Sequence, residues 1–448
     1  GALEPFFFLY TDDSIQGNTE TCKQSSIMLN YEVKNTMICK KTKKELQMNL
    51  RKYLTKSQNI KRDSFIWNMT GSVLLAFQSV ILLMILTRTV GLIEAGIFTI
   101  AYANANLFLN IGKYGMRNFQ VSDVKRQFSF KEYLYSRWIT TFAMLVVSVV
   151  YIIYASMANH YTMEKAMIIF WMCLFKIPDA IEDIYYGDYQ KKGRLDIGAK
   201  AIAWRLILTI ILFAFILVIS KDLLIALVIS TIFTFIIMSV FIKCTVFDFR
   251  ETTGRSWKKI GALLRQCFPL AAGAFLSFYI GNAPKYAIDA ALNDELQACY
   301  GFIAMPVFVI GLLNNFIFVP ILYKMSCLWE ERKVKKFVQM TFVQVIIIFV
   351  ITLVCIIGAY LIGVPVLSVL YSTDLSPYKT ELLILLLGGG FLGLSGLLNT
   401  MITIIRFQNS LLAGYGIIAA AALFLSDYFV QYWEMFGAAL LYTMLMAA

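Results

Sequence analysis

The sequence predicts an all-α polytopic membrane protein with about 12 transmembrane helices in two six-helix lobes. Three observations carry this. The 448 residues are 59% hydrophobic and only 15% charged, with a mean hydropathy of +0.69, whereas soluble domains carry about a quarter charged residues. Uncharged runs of roughly 20 residues, enough to span a bilayer, recur from Ser64 onward. The loops between the runs also alternate in charge. With the N-terminus in the cytoplasm, inside loops carry twenty Lys and Arg and outside loops five, the bias expected of cytoplasmic loops. The net charge of +12 therefore needs no nucleic-acid partner.

Residues 1–60 differ from the rest. They are polar, strongly basic and without helical periodicity, apart from the short patch GALEPFFFLY. The expectation is a disordered N-terminal extension drawn to anionic lipid by its charge. Residue 1 is Gly, and residues 1–47 fit nothing downstream, so that stretch is expected to be foreign to the natural protein. Spans are expected at about 64–87, 95–112, 138–158, 165–186, 201–219 and 223–242, then 262–284, 298–323, 338–362, 382–405 and 407–425. The final run, 435–448, is only 14 residues long. It falls short of a bilayer, so the twelfth span is expected to be truncated. The basic linker 244–260 divides an N-lobe, 61–243 with spans 1–6, from a C-lobe, 261–448 with spans 7–12. A faint internal echo fits this division. Span 1 ends in Arg88 and leads through Glu94-Ala-Gly into span 2, and span 7 ends in Lys285 and leads through Glu295 to Gly301 into span 8. Paired halves of this kind build midplane sites in many transporters.

The second span is the most informative. Tyr102, Asn106, Asn110, Lys113 and Arg117 follow at steps of four, four, three and four, which places them on one helical face. A polar ridge ending in two cations does not face lipid. Single asparagines fit a helix–helix seam equally well, but the whole ridge favours a watery cavity. In the fourth span, Lys176, Asp179 and Asp183 share a face, with Glu182 beside them and Pro178 inviting a kink. The simplest reading of Glu182 and Asp183 is a hydrated cytoplasmic interface, and for Asp183 that is the expectation. Lys176 and Asp179 lie deeper, where charges need partners, as structural glue or as a protonation or sodium-coupling element. The seventh span ends with Asn282, Pro284, Lys285 and Asp289. Either Lys285 pairs with Asp289 four residues on, or it holds an anionic group. Arg205 and Arg406 lie where an arginine can snorkel. Met305-Pro306, Pro320 and Gly388-Gly389-Gly390 would let their helices bend.

The eight cysteines show no metal or redox spacing, and the single histidine, His160, falls in a loop. No P-loop, HExxH or nucleophile elbow is present, and the longest outer loop is about 13 residues. A membrane polymerase or ligase would need a longer one, so no enzyme, cofactor or metal site is expected.

The segment LTRTVGLIEAGIFTIAYANANLFLNIGKYGMRNFQVSD resembles the first helical hairpin of bacterial polysaccharide biosynthesis flippases of the O-antigen translocase type. KIPDAIEDIYYGDYQ, NAPKYAID, MPVFVIGLLNNFIFVP and GVPVLSVLYSTDLSPYK are similar to later segments of that family, in the same order. The resemblance runs from about residue 60 to 448. It places the chain in the multidrug/oligosaccharidyl-lipid/polysaccharide exporter superfamily, and implies two six-helix lobes around a central cavity open to alternate sides of the bacterial inner membrane. The implied substrate is an oligosaccharide repeat unit on undecaprenyl diphosphate. A proton or sodium gradient, a polysaccharide polymerase and a chain-length regulator are implied partners. On this reading Arg88, Lys113, Arg117 and Lys285 would contact diphosphate, since charge-assisted bonds to phosphate are strong. Tyr102, Asn106, Asn110 and Asn282 would contact sugar, and Asp179 and Glu182 would couple to the ion. A cation-coupled multidrug antiporter and a peptidoglycan-precursor flippase of the same superfamily remain alternatives.

Overall fold

A computed structural model describes residues 45, 48–123, 127–245, 256–405 and 408–448, with side chains of 122, 312–324, 326, 403 and 408–410 left aside. The described residues are helical almost throughout. A short helix α1 (48–55) precedes α2 (Ile60–Thr89), α3 (Leu92–Lys113), α4 (Met116–Ser122), α5 (Phe130–Ala158), α6 (Met163–Phe175), α7 (Ile177–Lys191), α8 (Leu195–Ser220) and α9 (Leu223–Thr245). The second half holds α10 (Trp257–Ala291), α11 (Asp294–Glu330), α12 (Val334–Gly358), α13 (Val364–Tyr371), α14 (Lys379–Ile405) and α15 (Gln408–Ala447). Among the described residues, nine helices are long and apolar enough to cross a membrane, and the chain is a multi-pass membrane protein. Arg117, after α3, meets Asp183 and Gln190, and Lys191, at the end of α7, meets Asp123, which marks a basic end of the bundle; Arg88 and the Lys165–Asp294 pair mark the far end.

Several of these differences from expectation have local causes. The fourth span is two helices, α6 and α7, broken at Lys176, whose N–H bonds the Cys173 carbonyl rather than continuing the ladder. Pro178 then sits in the first turn of α7, where its missing N–H costs nothing. Spans 11 and 12 form one element kinked at Glu434, which has φ 46°. A five-residue π turn, Ala359–Gly363, joins α12 to α13 just before Pro365. Side chains cap several starts: Asn59 accepts from the Arg62 N–H, Asn293 from the Leu296 N–H, and Ser129 forms a capping box with Glu132, each satisfying otherwise orphaned donors. Residues 1–44, 46 and 47 lie outside the described residues, as does Arg406. Residues 48–56, expected to be disordered, are instead docked on the first half. Leu54 is buried among Tyr186, Ile197 and Phe241, Trp204 donates to Tyr53, and Lys200 donates to the Lys56 carbonyl. The buried Leu54, with the partly buried Leu50 one turn earlier, anchors this basic segment.

Helix α3 is the axis of the bundle. Of its most apolar stretch 72% is buried, against 11% for the α12–α13 span, whose Phe342, Phe349 and Val354 stand exposed where lipid would lie. It packs on α5 and α6 of the first half and on α10 and α11 of the second. Within the halves, α2 packs on α8 and α8 on α9, while α15 packs on α10 and α14. Gly91, with φ 152°, makes the turn from α2 into α3, a conformation that suits glycine.

Candidate substrate cavity

Along α3, the buried residues are interrupted at Tyr102, Asn106 and Asn110, which are only half-buried, and again at Lys113. The ridge read from the sequence is thus the least covered face of the most central helix. It opens on a cavity of about 510 Å³ between α2, α3, α7, α10 and α11. Tyr102, Asn106, Lys113, Asp179, Asn282 and Lys285 all line it. Asn110 does not. Each asparagine donates its amide to the carbonyl four residues back, Asn106 to Tyr102 (2.8 Å), Asn110 to Asn106 (2.9 Å) and Asn282 to Phe278 (3.0 Å), which leaves the side-chain oxygens as acceptors.

Two of the four expected phosphate-binding cations are not brought to this cavity. Helix α3 ends at Lys113, and Tyr114 and Gly115 adopt left-handed conformations before α4 begins. The four-residue step from Lys113 to Arg117 presupposed a continuous helix, and the turn breaks it. Arg117 instead meets Asp183 at 3.6 Å and donates to Gln190 at 3.1 Å. Arg88 lies at the far end, donating to the Val369 carbonyl at 2.7 Å. Lys113 and Lys285 do line the cavity, and neither makes a contact ion pair or hydrogen bond with the described residues. The expected Lys285–Asp289 pair is absent because Asp289 is held elsewhere. Lys113 comes from the first half and Lys285 from the second, and Asp179 is the one carboxylate on the cavity wall among the described residues.

Behind that wall the charges are matched. Asp179 is shared by Lys176 (3.4 Å) and Arg205, and Arg205 also binds Glu182 at 2.8 Å. Lys176 donates to Gln78 and to the Tyr102 hydroxyl, both at 3.2 Å, and lies over the Tyr102 ring. Tyr186 donates to Glu182 at 2.6 Å. Asp183, expected at a hydrated interface, is buried, and so is Glu182. Asp183 binds the fully buried Arg137 at 2.9 Å, which also donates, as does Thr140, to the Gly112 carbonyl at the end of α3. Arg137, a lone arginine near the start of an apolar run, carries no sequence signal, and Arg205 reads from the sequence as a snorkelling arginine.

The halves are tied at the far end by a second polar cluster. Lys165, at the start of α6, binds Asp289 of α10 at 2.8 Å and Asp294 of α11 at 2.6 Å. Asn159 and Tyr161, in the loop before α6, reach Asp289 as well. Burial, and then the neighbouring Asp289 charge, push the Tyr161 hydroxyl well above its usual pKa, so it stays a donor. Beside this cluster α3 and α11 touch backbone to backbone. A Cβ on Gly96 would overlap the Asp294 carbonyl, and one on Gly301 would come within 2.9 Å of Thr99.

Two helical halves thus meet around a central helix, with a polar cavity between them and an ionic cluster at one end. The fold is that of the MOP-superfamily transporters. A multidrug resistance MATE family transporter in an inward-facing conformation matches with a TM-score of 0.63 at 12% identity, covering 83% of this chain and 91% of that one. The lipid II flippase MurJ in an inward closed conformation matches with a TM-score of 0.62 at 14% identity, covering 84% and 85%. In sequence, the chain is 26% identical over 229 residues to the capsular polysaccharide biosynthesis protein CapF of Staphylococcus aureus, a match that covers 49% of the chain and 58% of that relative. No family model matches. These likenesses agree with the flippase resemblance of the sequence segments.

Proposed function

We propose that the protein is a flippase that moves a lipid-diphosphate-linked oligosaccharide across the bacterial inner membrane by alternating access, for O-antigen, capsule or exopolysaccharide synthesis. One observation carries the reading: a cavity between the halves lined by one lysine from each, neither in a contact ion pair with the described residues. A diphosphate supplies the missing anions, and by bridging Lys113 and Lys285 it would draw the halves together. The acceptor oxygens of Asn106 and Asn282 and the Tyr102 hydroxyl suit sugar hydroxyls. The likeness to CapF supports a polysaccharide substrate. A drug antiporter carrying cations would be repelled by two free lysines. The positive-inside bias sets the basic end, and the N-terminus, in the cytoplasm. The far-end cluster then closes the outer side. Asp179, in contact with the cavity, and Glu182 behind it are the candidates for proton or sodium coupling. A polymerase and a chain-length regulator would take the product.

Reconstitution in liposomes tests this, with leaflet-specific detection of a fluorescent oligosaccharide on undecaprenyl diphosphate. Protein-dependent translocation, accelerated by a proton or sodium gradient and insensitive to that gradient in Asp179→Asn, is the expected result. No translocation, with export of cationic dyes from the same vesicles, overturns it in favour of the antiporter.

A further inference from the structure

A second compartment, of about 750 Å³, opens between α10, α11, α14 and α15. It adjoins the first, because Phe278, Asn282, Lys285, Ala304 and Phe308 line both. The two differ in chemistry. The second is walled chiefly by Phe391, Leu394, Leu398, Leu411, Ile418 and similar side chains, and Lys285 is the one charged side chain lining it among the described residues. Asn399 and Tyr415, among its polar lining groups, are bonded to each other at 3.2 Å. Glycines keep it open: Gly281 and Gly414 line it, and a Cβ on either would meet nothing within 4 Å. A ligand centred on Lys285 therefore finds an anion site there, polar acceptors on one side and an apolar chamber on the other.

We infer that this second compartment binds the first isoprene units of the polyprenyl chain, so that the transporter encloses the diphosphate together with the hydrocarbon attached to it. This rests on the function proposed above and adds a site for the lipid. The occupant follows from continuity and charge. The chamber begins at the cation that holds the diphosphate, and a prenyl diphosphate is anionic at the point where its hydrocarbon starts. Enclosing those units shields apolar surface during the crossing, and makes prenyl chain length a determinant of affinity. A phospholipid acyl chain entering from the bilayer is the competing occupant.

The test uses the full chain in phosphatidylglycerol-containing nanodiscs and undecaprenyl diphosphate bearing a diazirine on its first isoprene units. The expected label falls on peptides containing Leu398, Tyr415 and Ile418, and is competed by unlabelled undecaprenyl diphosphate but not by added phosphatidylglycerol. Gly414→Phe, which fills open space, should weaken undecaprenyl diphosphate binding about tenfold, the factor carried by roughly two buried methylenes. It should leave binding of inorganic diphosphate, which carries no isoprene unit, within about twofold, a readout that misfolding would not spare. Labelling confined to lipid-facing positions, equal competition by phosphatidylglycerol, or undiminished binding in Gly414→Phe would overturn the inference while leaving the flippase reading intact. Failure of the wild-type protein to bind any prenyl diphosphate would remove both.

Discussion

The cavity wall and the layer directly behind it handle charge in opposite ways. Behind the wall, Lys176, Arg205 and Arg137 are buried, and each meets a carboxylate: Asp179, Asp179 with Glu182, and Asp183. On the wall, Lys113 and Lys285 stand half-buried with no carboxylate at contact distance. The difference follows from solvation. A cation inside a bundle with neither water nor partner is costly, so the packed layer is neutralised pair by pair. A cation left unmatched within the same membrane span is tolerated only where a cavity admits water or a ligand. On the proposed reading, the lysines without a contact partner belong to the binding surface and the paired charges behind them to the scaffold, with Asp179, paired and yet on the wall, belonging to both.

This contrast is open to attack. Arg205→Met would leave Glu182 buried without a cation and Asp179 with Lys176 alone, and a broken buried pair costs about 3–5 kcal/mol. Its thermal unfolding in detergent should collapse to much lower temperature, whereas Lys285→Met should hold the wild-type midpoint or exceed it. The reverse order would break the comparison. Lys113→Met and Lys285→Met should each weaken binding of undecaprenyl diphosphate roughly ten- to hundredfold, the range for hydrogen bonds to charged groups; equilibrium binding in detergent decides it. Arg117→Ala, although it removes a cation at the end of the same sequence ridge, should leave that binding unchanged and cost less than about 1 kcal/mol of stability, because its pair with Asp183 is partly exposed.

The far-end cluster gives a conformational test. Gly96→Leu places a side chain where the Asp294 carbonyl now sits, so α3 and α11 can no longer close there. In a background without native cysteines, Ser79→Cys on the cavity wall should become reactive to a membrane-impermeant maleimide from the far side in Gly96→Leu. In the otherwise wild-type bundle it should stay protected. Lys165→Met should act in the same direction but more weakly, since the backbone contact remains. Equal protection in all three would mean that this end does not gate the cavity.

Much of the fold was legible because bilayer-length apolar runs and loop charge are local signals. The ridge at Tyr102, Asn106, Asn110 and Lys113 was legible for the same reason: helical periodicity projects it onto one face. The projection failed at Arg117, where two left-handed residues end the helix, and a period of 3.6 carries no information beyond a turn. The Lys176–Asp179 pair, three residues apart, was readable from spacing. The partners of Arg205, Arg137 and Asp289 were not, because they come from other helices, and a buried arginine and a snorkelling one look alike in sequence. The second compartment was invisible, since its walls are ordinary leucines and phenylalanines whose only mark is the space between them.

The most direct test of the central claim is translocation of the undecaprenyl-diphosphate oligosaccharide in liposomes by three proteins side by side: the wild type, the Lys113→Met/Lys285→Met double variant and Arg117→Ala. The account predicts that the wild type and Arg117→Ala move the lipid at similar rates. The double variant, equally stable, should move almost none. Translocation by the double variant at the wild-type rate would contradict the account, and would return the two lysines to the role of simple topology determinants.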